Sequence, residues 1–371
     1  ACATFTVLPA LAGASTLVET FSFDAKTLRV VNLIGEITVE GHSGSTFEVE
    51  VTVNGESDAP ERIRFDANRG AEASLVVQFP VNEEQDYTYP RLNSGSRSSF
   101  TWGKHENDDS TWKRIWNEMQ GKKITVSGDN RGLELYADVV VKVPEGGTLF
   151  VRHGVGDVTA GNATANLDLD SHTGTISAEN IDGNLRADTG SGSVKADGIR
   201  GKVDVDTGSG KVTVTSVTGD VNVDTGSGTV TLSACRGEVL SVDTGSGKVT
   251  VTDSACRTLS VDTGSGSVKA PNMEADNVSI DTGSGSVEVT LAKMGVGAID
   301  IDTGSGGIEL NLPSDASVSV DAETGSGRIT LTVDGEDLTP KKRRSELSFT
   351  IGDGESRVTL ETGSGSIHVT S

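Results

Sequence analysis

A pentapeptide that returns at a nearly constant interval constrains this chain more than any other feature. The motif Asp-Thr-Gly-Ser-Gly occurs seven times, at spacings of 18, 18, 19, 19, 19 and 21 residues, beginning at Asp188, Asp206, Asp224, Asp243, Asp262, Asp281 and Asp302. Two later copies begin with Glu323 and Glu361. A unit of about 20 residues cannot bury an apolar face alone, so neighbouring units must stack to supply a core. The interval predicts a solenoid over residues 147–371.

Within each repeat, apolar and polar residues alternate, as in Val212-Thr213-Val214-Thr215. A period of two is typical of short strands with one face turned inward. The glycines ahead of such strands, for example Gly208 and Gly210, suit corners whose backbone a Cβ atom would penalise. We therefore predict an all-β fold, a parallel β-solenoid (β-helix) built from coils of 18–21 residues.

The first 146 residues have a different texture, because they hold 13 of the 15 aromatic residues. Alternating segments at 28–40, 46–53 and 73–79 are interpreted as wider first coils of the same structure. We predict an N-terminal β-rich region over residues 1–146, followed by the regular solenoid over residues 147–371.

Two insertions interrupt these regions. The first, residues 82–123, is polar yet contains all three tryptophans. It includes a predicted helix, because Trp112, Ile115, Trp116 and Met119 recur at helical spacing. The second, residues 333–348, carries the basic run Lys341-Lys342-Arg343-Arg344.

The charge of the chain limits its partners. It has 54 acidic against 31 basic side chains, a formal net charge of −23. Such a surface repels phosphate backbones and anionic lipid, so we expect no nucleic acid partner. The best apolar run, residues 4–14, is broken by Pro9 and falls short of the roughly 18 residues that span a bilayer. We predict no transmembrane segment.

Three stretches carry a resemblance to a known family. They are Val30-Val-Asn-Leu-Ile-Gly-Glu-Ile-Thr-Val-Glu-Gly41, the strand Val139-Val-Val-Lys-Val-Pro144 and the T-G-S-G-x-V units that continue to Ser371. The chain resembles the putative-adhesin family of exported bacterial and archaeal proteins over most of its length, with the aromatic insertion as the main departure. The resemblance implies a β-helical protein located at the cell surface or outside the cell. It brings no catalytic residues, since such repeats identify architecture better than activity.

The aspartate of each pentapeptide is the first candidate site. Stacked at one position per coil, neighbouring carboxylates would lie about 5 Å apart and repel by about 1 kcal/mol in water. One reading is that each aspartate accepts hydrogen bonds from its own turn. The other is a ladder of Ca²⁺ ions held by Asp188, Asp206, Asp224, Asp243, Asp262, Asp281 and Asp302. No other cofactor is expected.

The aromatic insertion is the second candidate site. Its large apolar side chains would either cap the edge of the solenoid or form a contact surface for a partner subunit or a glycan. The residues concerned are Tyr87, Tyr89, Phe100, Trp102, Trp112 and Trp116.

Cysteines and histidines offer little chemistry. Cys235 and Cys256 lie in matched Ser-Ala-Cys-Arg contexts 21 residues apart. They are interpreted as a disulfide between coils or, alternatively, as two stacked thiols. Cys2 is left over, as a lipid-attachment residue, a cross-link or an inert thiol. His153 and His172 occupy early turns and are interpreted as a surface pair.

The sequence predicts a protein that is not an enzyme, because its acids recur uniformly whereas a catalytic site breaks a repeat at one place. The first hypothesis is an extracellular structural protein that assembles with copies of itself into a fibre or sheath. Its motives are a repeat that runs uncapped to Ser371 and an apolar segment, residues 3–17, able to donate a strand. The alternative is a monomeric adhesin or glycan-binding module. An exported carbohydrate-active enzyme is a minor alternative.

Overall fold

The chain divides into two compact units, Ala1–Gly192 (unit 1) and Ser193–Ser371 (unit 2). The computed structural model describes residues 6–7, 14–70, 72–102, 121–339 and 345–371. The boundary between the units falls later than the predicted change at residue 146, because strands within residues 147–161 stack on strands within residues 27–40. Among the described residues, no helix is long and apolar enough to cross a membrane.

The described residues of unit 1 form sixteen strands and a short 3-10 helix, Ala59–Arg62. The strands are β1 (Thr6–Val7), β2 (Ala14–Phe23), β3 (Thr27–Ile34), β4 (Ile37–His42), β5 (Phe47–Glu56), β6 (Arg64–Asn68), β7 (Glu72–Gln78), β8 (Asp86–Thr88), β9 (Arg97–Trp102), β10 (Lys122–Ser127), β11 (Leu133–Pro144), β12 (Gly147–Val155), β13 (Val158–Ala163), β14 (Ala165–Thr173), β15 (Ile176–Asp182) and β16 (Leu185–Ser191).

Two parallel ladders run through unit 1. One follows the order β7, β3, β12, β14 and β16. The other follows the order β11, β4, β13 and β15. Alternate residues of these strands, such as Val30, Val151 and Leu169, are buried in the core. The alternation found in the sequence is therefore the inward and outward alternation of stacked strands.

The β5 strand departs from the parallel pattern. It pairs antiparallel with β2 on one side and with β11 on the other. The interpretation of the first 146 residues as wider coils is therefore wrong for β5, although β3, β4 and β7 do join the parallel ladders. A period of two is shared by parallel and antiparallel strands, so alternation could not distinguish them.

The predicted insertion at residues 82–123 contains a small sheet of its own. β10 pairs antiparallel with β9 and in parallel with β8. β8 also pairs in parallel with the start of β11. We call residues 82–102 and 121–130 the excursion. The predicted helix and the basic run at 341–344 lie outside the described residues.

The described residues of unit 2 form eighteen strands. They are β17 (Val194–Arg200), β18 (Val203–Ser209), β19 (Val212–Thr215), β20 (Val221–Ser227), β21 (Val230–Ser233), β22 (Arg236–Ser246), β23 (Val249–Thr252), β24 (Ala255–Thr263), β25 (Val268–Thr282), β26 (Val287–Lys293), β27 (Ala298–Thr303), β28 (Ile308–Asn311), β29 (Val318–Thr324), β30 (Ile329–Val333), β31 (Glu336–Asp337), β32 (Glu346–Ile351), β33 (Ser356–Thr362) and β34 (Ile367–Thr370).

Strands one repeat apart are parallel neighbours in unit 2. One ladder runs β18, β20, β22, β24, β25 and β27, and each pentapeptide aspartate lies opposite the next. A second ladder contains β19, β21, β23, β25, β26 and β28. The prediction of an all-β fold with a mostly parallel sheet is confirmed.

The C-terminal repeat does not lie at the end of this stack. β33 pairs in parallel with β27 on one side and β29 on the other, and β34 lies in the same way between β28 and β30. Along the sequence, the outer coil β29–β30 therefore precedes the coil that lies inside it. The chain returns between the two through β32, which pairs antiparallel with β29. The short strand β31 covers the end of β30. The expectation of an uncapped last repeat is wrong, because that repeat fills a gap between two earlier ones.

Candidate functional site

The threonine of the pentapeptide faces inward and holds the turn. The Thr282 hydroxyl donates to the Gly266 carbonyl of the preceding coil and accepts from the Gly285 amide, both at 3.1 Å. Thr303, Thr324 and Thr362 make the same pair of bonds. The turn hydrogen bonds predicted for the pentapeptide aspartate are thus made in these four turns by the adjacent threonine. The glycines are required by close stacking, since a Cβ atom on Gly228, at φ 154°, would overlap the Gly210 carbonyl oxygen.

The pentapeptide acids face outward and form one column in unit 2. Successive register partners carry an acid at this position eight times: Asp206, Asp224, Asp243, Asp262, Asp281, Asp302, Glu361 and Glu323. All eight side chains are exposed. Asp188 lies in unit 1, where Arg186 forms an ion pair with it at 3.1 Å. We call the eight acids of unit 2 the acid column.

The negative charges of the acid column repel one another. The pKa of Asp243 is raised, first by partial burial and then by the charges of Asp224 and Asp262. The pKa of Asp302 is raised in the same way, with Asp281 and Asp300 as the neighbours. No group of three or more His, Cys, Asp or Glu side chains able to hold a metal ion occurs among the described residues. The calcium ladder therefore stays a prediction.

The aromatic residues of the excursion form a small core rather than an open surface. Tyr87, Tyr89, Phe100 and Trp102 are all buried. Tyr87 packs edge-on against Phe79 at 5.8 Å between ring centres, and its hydroxyl donates to the Glu84 carbonyl. The expectation that these four rings contact a glycan or partner is wrong, because their faces are used within the chain. Trp112 and Trp116 lie outside the described residues.

The excursion is fastened to the parallel ladders at several points, two of which involve the side chains of Arg91 and Phe100. The Arg91 guanidinium forms ion pairs with Asp138 at 2.7 Å and Glu36 at 3.0 Å. At the second point, the Phe100 ring lies 4.4 Å from the His172 ring. Burial raises the pKa of Tyr87 and Tyr89 above the usual tyrosine value. These contacts match the alternative in which the aromatic side chains cap the edge of the solenoid.

The two histidines do not form a surface pair. His153 is buried, with Nδ1 3.1 Å from the Asn32 carbonyl and Nε2 2.9 Å from the Gly35 carbonyl. Its register partner is Ser171, so His153 occupies the inward column that threonine fills in later coils. Burial lowers its pKa to about 4, against the opposite influence of both carbonyls. His172 faces outward.

The cysteines are free thiols in this structure, so the predicted disulfide is absent. Cys256 lies opposite Gly237, two residues beyond Cys235. Such diagonal neighbours are roughly 7–8 Å apart, whereas disulfide-bonded Cα atoms are usually about 4.4–6.8 Å apart. Burial raises the pKa of both thiols, that of Cys256 to about 11, so the nucleophilic thiolate is disfavoured. Cys2 lies outside the described residues.

Unit 1 contains a groove that the sequence analysis missed. Its volume is about 740 Å³, and Phe21, Glu48, Glu50, Arg69 and Lys142 are among the residues that line it. Lys142 and Glu48 form an ion pair at 3.8 Å. Phe21 is held against Phe23 and Phe65, at 6.4 and 5.4 Å between ring centres. No motif links β2, β5 and β11 with the end of β6, so only the fold brings these residues together.

Comparison with solved structures gives distant matches. A "putative cell adhesion protein from Clostridium sporogenes" is 10% identical to this chain. The match covers 96% of this chain and 99% of that protein, with a TM-score of 0.21. A "putative adhesin from Parabacteroides distasonis" is 12% identical over 96% of this chain and 97% of its own, with a TM-score of 0.36. A "putative lipid binding protein" from the same organism is 12% identical over 94% and 96%, with a TM-score of 0.35.

Comparison with protein families gives a direct match. No curated protein matches the chain. The family model described as "Toastrack DUF4097" matches residues 201–370, which lie in unit 2. This segment includes eight of the nine pentapeptide copies, from Asp206 to Glu361. The resemblance found in the sequence is therefore confirmed for residues 201–370, which are similar to the DUF4097 toastrack family.

Proposed function

We propose that the protein is a non-enzymatic adhesive scaffold of the cell surface. The observation that carries the proposal is the distribution of reactive side chains in unit 2, where the same acid recurs at the same outward position of each coil. A catalytic site needs different groups converging on one point. A uniform column instead presents the same chemistry at many points, which suits extended contact with a surface.

The scaffold is proposed as a discrete particle rather than a fibre. The sequence-based motive for a fibre was an uncapped C-terminal repeat, but that repeat lies between β27–β28 and β29–β30. The proposed strand donor is also partly used within the chain, since residues 14–17 belong to β2 and pair with β5. Both features reduce the number of strand edges open to polymerisation.

A second candidate function is glycan binding, favoured by the groove in unit 1. Sugar sites commonly combine an aromatic face with charged groups that bond to hydroxyls, and Phe21, Arg69 and Glu50 supply those groups here. This candidate replaces the buried excursion aromatics as the proposed contact for a carbohydrate.

An adhesion assay with the full chain tests the proposal. Beads coated with the protein are passed over cells and over immobilised mannan, chitin and mucin, next to beads coated with an unrelated protein of equal negative charge. We expect greater retention of the protein-coated beads, and antibody labelling of intact source cells. Retention equal to the control beads, or release of soluble sugar from these polymers, would contradict the scaffold. Filaments in negative-stain images would contradict the discrete form.

If beads are retained on a glycan, Arg69→Ala tests the groove, with the exposed Lys195→Ala as a matched control. Loss of retention with Arg69→Ala alone is expected. Equal retention of both variants would leave adhesion standing and remove the groove from it.

A further inference from the structure

The strand β32 is a sheet edge with one described partner. It pairs antiparallel with β29, from Glu346 opposite Glu323 to Ile351 opposite Val318. No second strand pairs with it among residues 6–7, 14–70, 72–102, 121–339 and 345–371. An edge of this kind presents amide and carbonyl groups that another strand can bind.

The two faces of β32 differ in polarity. Leu347, Phe349 and Ile351 are half-buried, whereas Glu346, Ser348 and Thr350 are exposed. This alternation is typical of a strand with a neighbour on each side, but β32 has a described neighbour on one side only. A further strand with the same alternation would place its apolar residues beside Leu347, Phe349 and Ile351 and its polar residues on the opposite face.

The hydrogen bonds of β32 fix which residues offer their backbone to a new neighbour. The Thr324 amide donates to the Ser345 carbonyl at 2.7 Å, so these two residues form a hydrogen-bonded pair. In an antiparallel ladder, bonded residues alternate along the strand. The backbone groups of Leu347, Phe349 and Ile351 therefore point to β29, and those of Glu346, Ser348 and Thr350 point away from it.

We propose that β32 pairs with β32 of a second copy of this chain, antiparallel and centred on Phe349. In this register Ser348 of each copy lies opposite Thr350 of the other, and the two residues exchange both backbone bonds. Leu347 lies opposite Ile351, and the two Phe349 side chains face each other across a non-bonded pair, where side chains are closest. Glu346 lies opposite Gly352, so no like charges meet.

Other registers fit less well. Centring on Ser348 would set Ile351 opposite Ser345, and centring on Thr350 would set Leu347 opposite Asp353. Only the register centred on Phe349 gives each of the three apolar residues an apolar partner. Because the contact is two-fold symmetric, it closes at two copies and forms a dimer instead of a fibre. The proposal goes beyond adhesion and does not depend on it.

Sedimentation equilibrium of the full chain over a wide concentration range tests the dimer. We expect concentration-dependent dimers of the unmodified protein. The double variant Ser348→Lys/Thr350→Lys sets lysine opposite lysine at two places, and we expect dissociation to become roughly tenfold easier. The variant Ser348→Lys/Thr350→Glu sets lysine opposite glutamate and should dimerise at least as well as the unmodified chain. Both substituted positions carry exposed side chains, so unit 2 should stay folded.

Disulfide trapping tests the register. With the natural cysteines present in every sample, Phe349→Cys should form covalent dimers on mild oxidation, and Leu347→Cys and Ile351→Cys should stay at the background of the unmodified chain. A monomer at all concentrations, equal dimerisation of the lysine–lysine and lysine–glutamate variants, or preferential trapping at 347 or 351 would each overturn the proposal.

Discussion

The outward charges of unit 1 and unit 2 are arranged in opposite ways on the same kind of parallel ladder. In unit 1 two arginines lie among the acids. Arg152 contacts Asp168 at 2.9 Å and Asp170 at 3.3 Å, and Arg186 contacts Asp168 at 3.7 Å and Asp188 at 3.1 Å. In unit 2 the corresponding outward position holds the acid column, in which each register partner is another acid.

This difference teaches that the ladder geometry does not depend on the outward charges. Both units stack strands in parallel around buried aliphatic residues, with a polar inward column of Asn32, His153, Ser171 and Thr189 in unit 1 and threonines in unit 2. Charge should therefore change stability without changing the fold. Its effect should have opposite sign in the two units.

The largest effect is expected from removing the central arginine of unit 1. Arg152→Ala leaves Asp168 and Asp170 without their shared partner, and their side chains are only 19% and 8% exposed. Breaking a buried ion pair from one side costs about 3–5 kcal/mol. Hydrogen exchange of peptides from β12 and β14, read by mass spectrometry in the full chain, should show this loss of protection.

Arg186→Ala is the matched control, since Arg186 contacts the same Asp168 but is 46% exposed. Exposed pairs contribute about 0–1 kcal/mol. If both variants lose the same protection, burial of the network is not what stabilises unit 1.

The second effect is a loss of stability of unit 1 in acid. His153 has a pKa of about 4 in the folded chain, below the ordinary 6.5, because it is buried. The unfolded chain therefore takes up the proton first, and stability that is complete above pH 6.5 is lost as the pH falls towards 4. The shift corresponds to about 3 kcal/mol.

His153→Asn is the test, since asparagine already occupies this column at Asn32 in the paired strand β3. Exchange in β12 should become less sensitive between pH 6.5 and 4 than in the parent chain. An unchanged pH slope would mean that the carboxylates, and not His153, set the acid response.

The sequence was sufficient for the stacked strands and insufficient for the turn chemistry. Alternation in Val212-Thr213-Val214-Thr215 and recurrence of the pentapeptide predicted parallel stacking, because few other arrangements bury so narrow an apolar stripe. Asp281 and Thr282 are both able to accept a turn amide, however. Which one does so depends on which side of the strand faces inward, and the structure places Thr282 there.

The position of the last repeat could not be predicted from the sequence. Near-identical repeats are interchangeable as neighbours, so nothing in residues 356–370 states that β33 pairs with both β27 and β29. The buried aromatics have a similar explanation. Large rings in a polar segment fit a cap and a binding surface equally well, and only the contacts of Tyr87 and Phe100 decide between them.

The third effect compares two threonines within unit 2. Thr282→Val removes a hydroxyl that bonds Gly266 and Gly285, and leaving such buried groups without partners costs about 1–3 kcal/mol. Thr225→Val is the matched control, since the buried Thr225 hydroxyl has no hydrogen-bond partner among the described residues. We expect denaturant unfolding of Thr282→Val at lower concentration and of Thr225→Val unchanged or at higher concentration. Equal losses would indicate that packing of the methyl groups, and not the hydroxyl, decides this column.

The smallest effect comes from giving unit 2 the charge pattern of unit 1. Asp243→Arg places a base between Asp224 and Asp262. Two repulsive contacts at about 5 Å then become attractive, each worth about 1 kcal/mol in water before screening. Because these side chains are exposed, we expect a net gain of only about 1 kcal/mol at low ionic strength.

The pH dependence fixes the sign of this last prediction. The raised pKa of Asp243 means that the folded chain holds its proton more firmly than the unfolded chain, so this residue favours folding in acid and loses that contribution as the pH rises through its pKa. Asp243→Asn should abolish this slope and recover part of the gain of Asp243→Arg at pH 7. Both gains should fade at about 1 M salt, where screening acts over about 3 Å. If neither substitution stabilises unit 2 at low salt, bound cations already neutralise the acid column. That result would favour the predicted calcium ladder over a column of uncompensated negative charges.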